Sequence, residues 1–260
     1  MRSRYLFATL KNRLDPRETV DLTLKVRDLV QVGHDRVVGL CPSAAAMAWT
    51  SACKGEFAIA AQACGWTASY SLTGELSVRD LKAFSVAFCI VGHSERRFYL
   101  GETEEIISHK LSALISASIT PILCVGETLE QRQSGSTLDV VRGQLSSLLK
   151  AFGTSAMEPN PYRVIVAYEP TWAISTAGSN LTLKPEDAVS THDAVRKLLE
   201  ELFGSGFGEA TSVIFGGSIN TANARDFFVH PTIDGGLVGS GMQTASGFES
   251  VLNAFYSARI

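Results

Sequence analysis

The feature that most restricts this chain is an alternation. Short apolar or β-branched runs are each followed by a longer stretch of helical patterning over the 260 residues. The runs are Tyr5–Ala8, Arg36–Cys41, Phe57–Ala61, Ala87–Val91, Thr120–Val125, Arg163–Tyr168, Ser212–Phe215 and Ile233–Val238. The helical stretches are Pro16–Val30, Ala44–Ala52, Glu104–Ser116, Leu138–Ala151, Pro185–Phe203, Thr221–Phe228 and Gly247–Ala258, with only the short Val78–Ala83 after the third run. Strands separated by helices pair in parallel, because parallel neighbours need a crossover connection. An open doubly wound sheet would place a glycine-rich turn after its first strand, and Thr9-Leu10-Lys11-Asn12 contains no glycine. A closed barrel instead gathers polar chemistry after the C-terminal ends of many strands. Lys11, Gln62, His93, Glu169, Gly216–Ser218 and Gly239–Gly241 occupy such places. The expectation is one α/β domain over residues 1–260, a single (β/α)8 barrel.

Local chemistry supports several boundaries. Pro185 suits a first helical turn, with Glu186 and Asp187 beside the positive end of the dipole. Asp187, Val189, His192, Val195 and Leu198–Leu199 then recur with a helical period and predict one buried face. Pro121 is expected at a strand start, where a missing donor is tolerated. No internal repeat, low-complexity tract or linker interrupts the chain.

Composition excludes whole classes of function. With 23 basic and 26 acidic residues the net charge is −3, so no basic excess exists to hold nucleic acid or a membrane surface. The five cysteines, Cys41, Cys53, Cys64, Cys89 and Cys124, are odd in number and form no CxxC, which reads as buried free thiols in a reducing compartment. Met1–Leu10 lacks the apolar core of a signal peptide, and no apolar run approaches the ~18 residues of a membrane span. The sequon Asn180-Leu181-Thr182 is then a chance occurrence. A soluble, cytoplasmic protein is expected. The histidines show no metal-ligand spacing, and neither a GxSxG elbow nor a Walker A loop occurs.

The strand ends carry the chemistry. Glu169 precedes Pro170-Thr171-Trp172-Ala173-Ile174, where a shielded carboxylate becomes a stronger base. A lone Glu-Pro is more often a surface cap. The small, flexible Ser175-Thr176-Ala177-Gly178-Ser179 shifts the balance, because it suits a lid. His93, in Gly92-His93-Ser94-Glu95-Arg96-Arg97, sits ahead of a helical turn whose dipole favours a neutral ring able to donate to a carbonyl. The same string also reads as a structural histidine with Ser94 as N-cap. Lys11 alone is weak evidence, since most lysines are solvated. Gly216-Gly217-Ser218 and Gly239-Ser240-Gly241 each read singly as tight turns. Together, after the seventh and eighth strands, they match the place where barrels bind phosphate on backbone N–H groups.

In order and spacing, Val91-Gly92-His93-Ser94-Glu95-Arg96-Arg97, Cys124-Val125-Gly126-Glu127-Thr128-Leu129-Glu130, Ala167-Tyr168-Glu169-Pro170-Thr171-Trp172-Ala173-Ile174 and Gly216-Gly217-Ser218 resemble the triosephosphate isomerase family, and the likeness runs over almost the whole chain. That family is itself the standing example of a carboxylate base paired with a neutral histidine. The resemblance implies a TIM barrel and an isomerase that interconverts dihydroxyacetone phosphate and D-glyceraldehyde 3-phosphate through an enediolate. It implies Glu169 as the base, His93 as the electrophile, Lys11 as the offsetting cation and Glu95 in support. Thr9 stands at the substrate-contacting position, with Ser175, Ser218, Gly239 and Ser240 around the phosphate and Pro170 to Ala177 as the lid. It implies no cofactor and no metal, and a homodimer through the Gln62–Glu75 loop.

The sequence also departs from the family pattern. Thr9 replaces an asparagine, Ser175 and Ser240 each replace a glycine, Phe215 replaces a tyrosine whose hydroxyl fastens the closed lid, and the stretch before Pro185 is longer. Two other readings therefore stay open. One is an isomerase of another short ketose phosphate, such as a tetrulose phosphate; the other is a non-catalytic sugar-phosphate-binding barrel.

Overall fold

The computed structural model describes residues 2–31, 33, 35–66, 72–154, 158–174 and 183–258. Its strands are β1 (Arg4–Thr9), β2 (Arg36–Cys41), β3 (Ala58–Ala61), β4 (Phe88–Val91), β5 (Thr120–Val125), β6 (Ile165–Tyr168), β7 (Ser212–Phe215) and β8 (Gly235–Val238). Each pairs in parallel with its sequence neighbour, and β1 pairs with β8, so the sheet closes on itself. Between the strands run α1 (Pro16–Val26), α2 (Met47–Cys53), α3 (Val78–Ala83), α4 (Ser94–Tyr99), α5 (Glu104–Ser116), α6 (Leu129–Gln133), α7 (Thr137–Thr154), α8 (Pro185–Phe203), α9 (Phe207–Ala210) and α10 (Ala224–Phe228), and α11 (Ala245–Ser257) follows β8.

Period-2 geometry sorts each strand into two faces. Phe7, Cys41, Ala60, Ile90, Ile122, Cys124, Ile165, Ala167, Ile214 and Leu237 form one buried cluster with at least one member from every strand. That cluster fills the barrel. The alternate residues, such as Leu6, Ala8, Leu123, Val125 and Val213, pack outward against the helices in two further clusters. The inward parity of Ile165 and Ala167 continues to Glu169, that of Ile214 to Gly216 and that of Leu237 to Gly239. The strands thus aim these positions at the barrel mouth before any loop chemistry acts.

Capping explains the helix ends. Asp15 caps α1, accepting from Arg17 and Glu18 N–H while the Glu18 carboxylate accepts from Asp15 N–H, and Pro16 takes the first turn. Thr103 caps α5 and Thr244 caps α11 in the same sense. In α8 Pro185 takes the first turn, and Gly204 at φ 98 ends the helix.

The sequence reading needs several corrections. The helical pattern over Pro16–Val30 is an α-helix to Val26 and then a 3-10 turn, Arg27–Leu29. Ala44–Ala46 is likewise 3-10, so α2 starts at Met47, and α10 starts at Ala224. The strands after Phe57, Ala87, Arg163 and Ile233 are shorter than expected, because the first residues of those runs enter from turns such as the 3-10 Pro161–Arg163. The buried face of α8 runs through Ala188, Thr191, His192, Val195, Leu198 and Leu199, whereas Asp187 is exposed, as a carboxylate in a first turn is free to be. Pro121 is the second residue of β5. The helices α6 and α9 were not expected, being of five and four residues, whereas α4 is the helical turn expected after His93. No helix among the described residues is long and apolar enough to cross a membrane.

Candidate active site

His93 is the N-cap of α4 through its ring. Its Nδ1 accepts the Glu95 backbone N–H at 3.2 Å. A ring nitrogen that accepts carries no proton, so this bond selects the tautomer with hydrogen on Nε2. Histidine rather than Ser94 therefore caps the helix. Nε2 stands 3.4 Å from Glu169 Oε1.

Glu169 follows β6 directly and is only 3% exposed. Its N–H donates to Val125 O at 2.7 Å, which anchors the backbone. Its Oε2 is buried without a hydrogen-bond partner among the described residues. Two glycines make room for it. A Cβ on Gly216 would sit 2.4 Å from Glu169 Cγ, and one on Gly126 would sit 1.9 Å from Glu169 O. No strand-end pattern explains both glycines as simple turns. Gly216 leaves room for the Glu169 side chain, and Gly126 for its backbone carbonyl.

Lys11, two residues beyond β1, places Nζ 2.6 Å from Glu95 Oε1. Its φ is 50°, a left-handed conformation that costs a residue with a Cβ about 1–2 kcal/mol. Thr9 is buried at the end of β1. A cavity of about 150 Å³ is lined by Thr9, Lys11, Asn12, Gln62, Ile90, His93, Glu95, Arg96 and Leu100. Glu169 is not on its wall, but its Oε1 lies 3.4 Å from the ring of His93, which is.

The geometry thus brings Thr9, Lys11, His93, Glu95 and Glu169 together from the ends of β1, β4 and β6. A sequence profile of the triosephosphate isomerase family matches residues 5–255. The chain belongs to the triosephosphate isomerase family. It is 37% identical over 237 residues to the triosephosphate isomerase of Acetivibrio thermocellus, which covers 91% of this chain and 92% of that one. It is 41% identical over 184 residues to that of Pseudomonas putida strain W619, with 71% and 70% covered. Against that of Thermus thermophilus the identity is 42% over 180 residues, with 69% of each chain covered.

The remaining expected positions fall less simply. Ser218 has both donors on one acceptor, since its N–H and Oγ–H go to Ala173 O at 3.2 and 2.8 Å. Gly239 leads into the 3-10 turn Ser240–Met242, and nothing lies within 4 Å of where its Cβ would be. Ser240 is exposed beside it. Ser175, with the rest of the lid segment from Ser175 to Ser179, lies outside the described residues, as do the sequon at Asn180 and part of the Gln62–Glu75 loop.

Sequence reasoning gave Glu127 no role, although it stands in one of the family strings. It is fully buried and accepts from Tyr168 Oη at 3.1 Å and from Trp172 Nε1 at 3.1 Å. Its carbonyl takes the Thr171 N–H and hydroxyl at 3.0 and 2.9 Å. Burial pushes the Tyr168 phenol up, with the Glu127 charge adding to it, so this hydroxyl stays a donor. Glu127 thereby ties the 3-10 turn Thr171–Ala173 to the end of β5. Phe215, at the tyrosine position, stacks on Phe227 with centroids 4.5 Å apart. Among the described residues, no group of His, Cys, Asp and Glu is placed to hold a metal ion. All five cysteines are unpaired; Cys53 is half-buried and the other four are buried.

Proposed function

We propose that this chain interconverts dihydroxyacetone phosphate and D-glyceraldehyde 3-phosphate, with Glu169 and His93 as the acid–base pair. The observation that carries the reading is the His93 tautomer: with Nδ1 engaged by Glu95 N–H, the proton on Nε2 is the one free to meet a substrate oxygen. Glu169 takes a proton from the hydroxyl-bearing carbon, and that C–H pair becomes the carbon–carbon double bond. The carbonyl electrons move to oxygen, giving an enediolate. His93 gives its Nε2 proton to that oxygen and takes one from the neighbouring hydroxyl. Glu169 then returns its proton to the former carbonyl carbon. One C–H bond breaks and one forms, no electron leaves the substrate, and no cofactor is called for.

Lys11 offsets the charge of the enediolate and the phosphate dianion, and Glu95 holds the ammonium in place. Thr9 contacts the substrate, and backbone and hydroxyl donors at Ser175, Ser218, Gly239 and Ser240 hold the phosphate. For Ser218 that means giving up Ala173 O, which couples anion binding to the base of the lid. The consecutive exposed apolar residues Phe98, Tyr99 and Leu100 support a homodimer that also involves the Gln62–Glu75 loop. Five unpaired thiols support a reducing, cytoplasmic setting. Family membership adds a role in glycolysis and gluconeogenesis.

Solvent-deuterium exchange into dihydroxyacetone phosphate tests the reading. Catalysed exchange is expected, and Glu169→Gln is expected to lose about 10²–10⁴ of it. No exchange above background, with dihydroxyacetone phosphate still bound, would move the reading to a non-catalytic sugar-phosphate-binding barrel. A kcat/KM greater on a tetrulose phosphate than on the triose would move the assignment to that substrate.

A further inference from the structure

Lys11 holds a left-handed backbone at φ 50°. Lysine has no local hydrogen bond to favour that region, unlike asparagine or aspartate, so something elsewhere in the fold must hold it there. The restraint is Gln62, the first residue after β3. Its Nε2 donates to Lys11 O and to Cys41 O, each at 2.9 Å. Both acceptors are carbonyls, so the amide nitrogen and not the oxygen must face them. Cys41 O also accepts the Leu10 N–H at 3.1 Å, so the ends of β1, β2 and β3 meet in this one cluster. Gln62 lines the same cavity as Lys11, His93 and Glu95.

We propose that Gln62 is a positioning residue: its carboxamide clamps the left-handed backbone of Lys11 and so sets where the ammonium stands in the cavity. The proposal rests on the reading that Lys11 serves the reaction. Without the clamp the Lys11 carbonyl is free to turn, residue 11 relaxes towards an ordinary conformation, and the ammonium leaves its place beside Glu95. A carboxylate at position 62 would set its oxygens against two carbonyl lone pairs. A protonated carboxyl there would restore one of the two donors.

The test compares the full-length wild type with Gln62→Met, Gln62→Glu, Lys11→Ala and the Gln62→Met/Lys11→Ala double variant, by steady-state kinetics and thermal melting. Gln62→Met is expected to lose roughly 10- to 100-fold in kcat/KM, as a displacement of about 1 Å would cause. In the Lys11→Ala background the same change is expected to add less than about twofold, because the group it positions is gone. Gln62→Glu should regain activity relative to wild type as the pH is lowered. A purely structural role would lower Tm and leave kcat/KM of the folded protein unchanged, which overturns the proposal. So would an equal fold-loss with and without Lys11. Full activity of Lys11→Ala alone would instead overturn the role given to Lys11. Should Gln62→Met not fold, Gln62→Asn, one methylene short of both carbonyls, carries the same comparison.

Discussion

Gly216→Ala isolates the fit between the seventh strand end and the Glu169 carboxylate. A Cβ at 216 would lie 2.4 Å from Glu169 Cγ and 3.0 Å from Oε1. Carbon atoms rest about 3.5–4.0 Å apart, so Cγ must give way by more than about 1 Å. Cγ moves by rotation about Cα–Cβ, whereas the backbone of Glu169 is pinned through its N–H to Val125 O. The carboxylate therefore moves and the strand stays. Such a displacement of a reacting group costs about 10²-fold in rate, which is roughly 2.7 kcal/mol of barrel-mouth geometry expressed as activation free energy. The expected result is a loss of about 10²-fold in kcat/KM on dihydroxyacetone phosphate, with a fall in stability of about 1–3 kcal/mol for the crowded side chain. Gly126→Ala is the contrast: its Cβ would meet the Glu169 carbonyl at 1.9 Å, a backbone atom that cannot swing away. That variant should fail in folding before it fails in catalysis. A Gly216→Ala protein that folds and keeps kcat/KM within about threefold would refute the claim that Gly216 is there to seat this carboxylate.

Two further perturbations follow from burial. His192 is fully buried on α8, and burial, with the Arg196 charge beside it, lowers its pKa to about 3. Above the unfolded value near 6.5 both states hold a neutral ring. Between 6.5 and 3 only the unfolded chain binds the proton, so stability is lost as pH falls, by up to about 1.4 kcal/mol per pH unit. Urea midpoints of the wild type should drop more steeply from pH 7 to pH 4 than those of His192→Gln, and parallel curves would sink this account. Burial also pushes the thiols of Cys41, Cys89 and Cys124 up, whereas Cys53 is half-buried. A brief native treatment with a thiol reagent at pH 8 should add one label per chain, at Cys53, by mass spectrometry; rapid labelling of Cys41 or Cys124 would contradict the packed barrel interior.

Much of the fold is legible where local signals agree. Thr120–Val125 and Ser212–Phe215 are apolar runs flanked by polar turns, and Glu104–Ser116 and Pro185–Phe203 carry cap or proline signals at their ends, so their limits follow from the sequence. The 3-10 turns and the short α6 and α9 escape it, because four or five residues show no period to read. In the site, Glu169 and His93 stand out by position and motif. Gln62 stands at a strand end and Glu127 in a family string, but neither signal says what the side chain holds. Each acts through hydrogen bonds to residues distant in the chain, such as Trp172 and Cys41, and no spacing encodes those partners.

The sequence alone determines the alternation, the inward parity that carries from Ile165 and Ala167 to Glu169, and the glycine at position 216 that leaves that side chain room. These are short-range facts, set by the two-residue period of a strand and by the volume of a side chain. Closure of β1 on β8 decides the rest. It brings Lys11 to Glu95 across 84 positions and His93 to Glu169 from a different strand. Spacing along the chain cannot supply such contacts. They exist only once eight strands share one axis and their C-terminal ends converge on a single mouth.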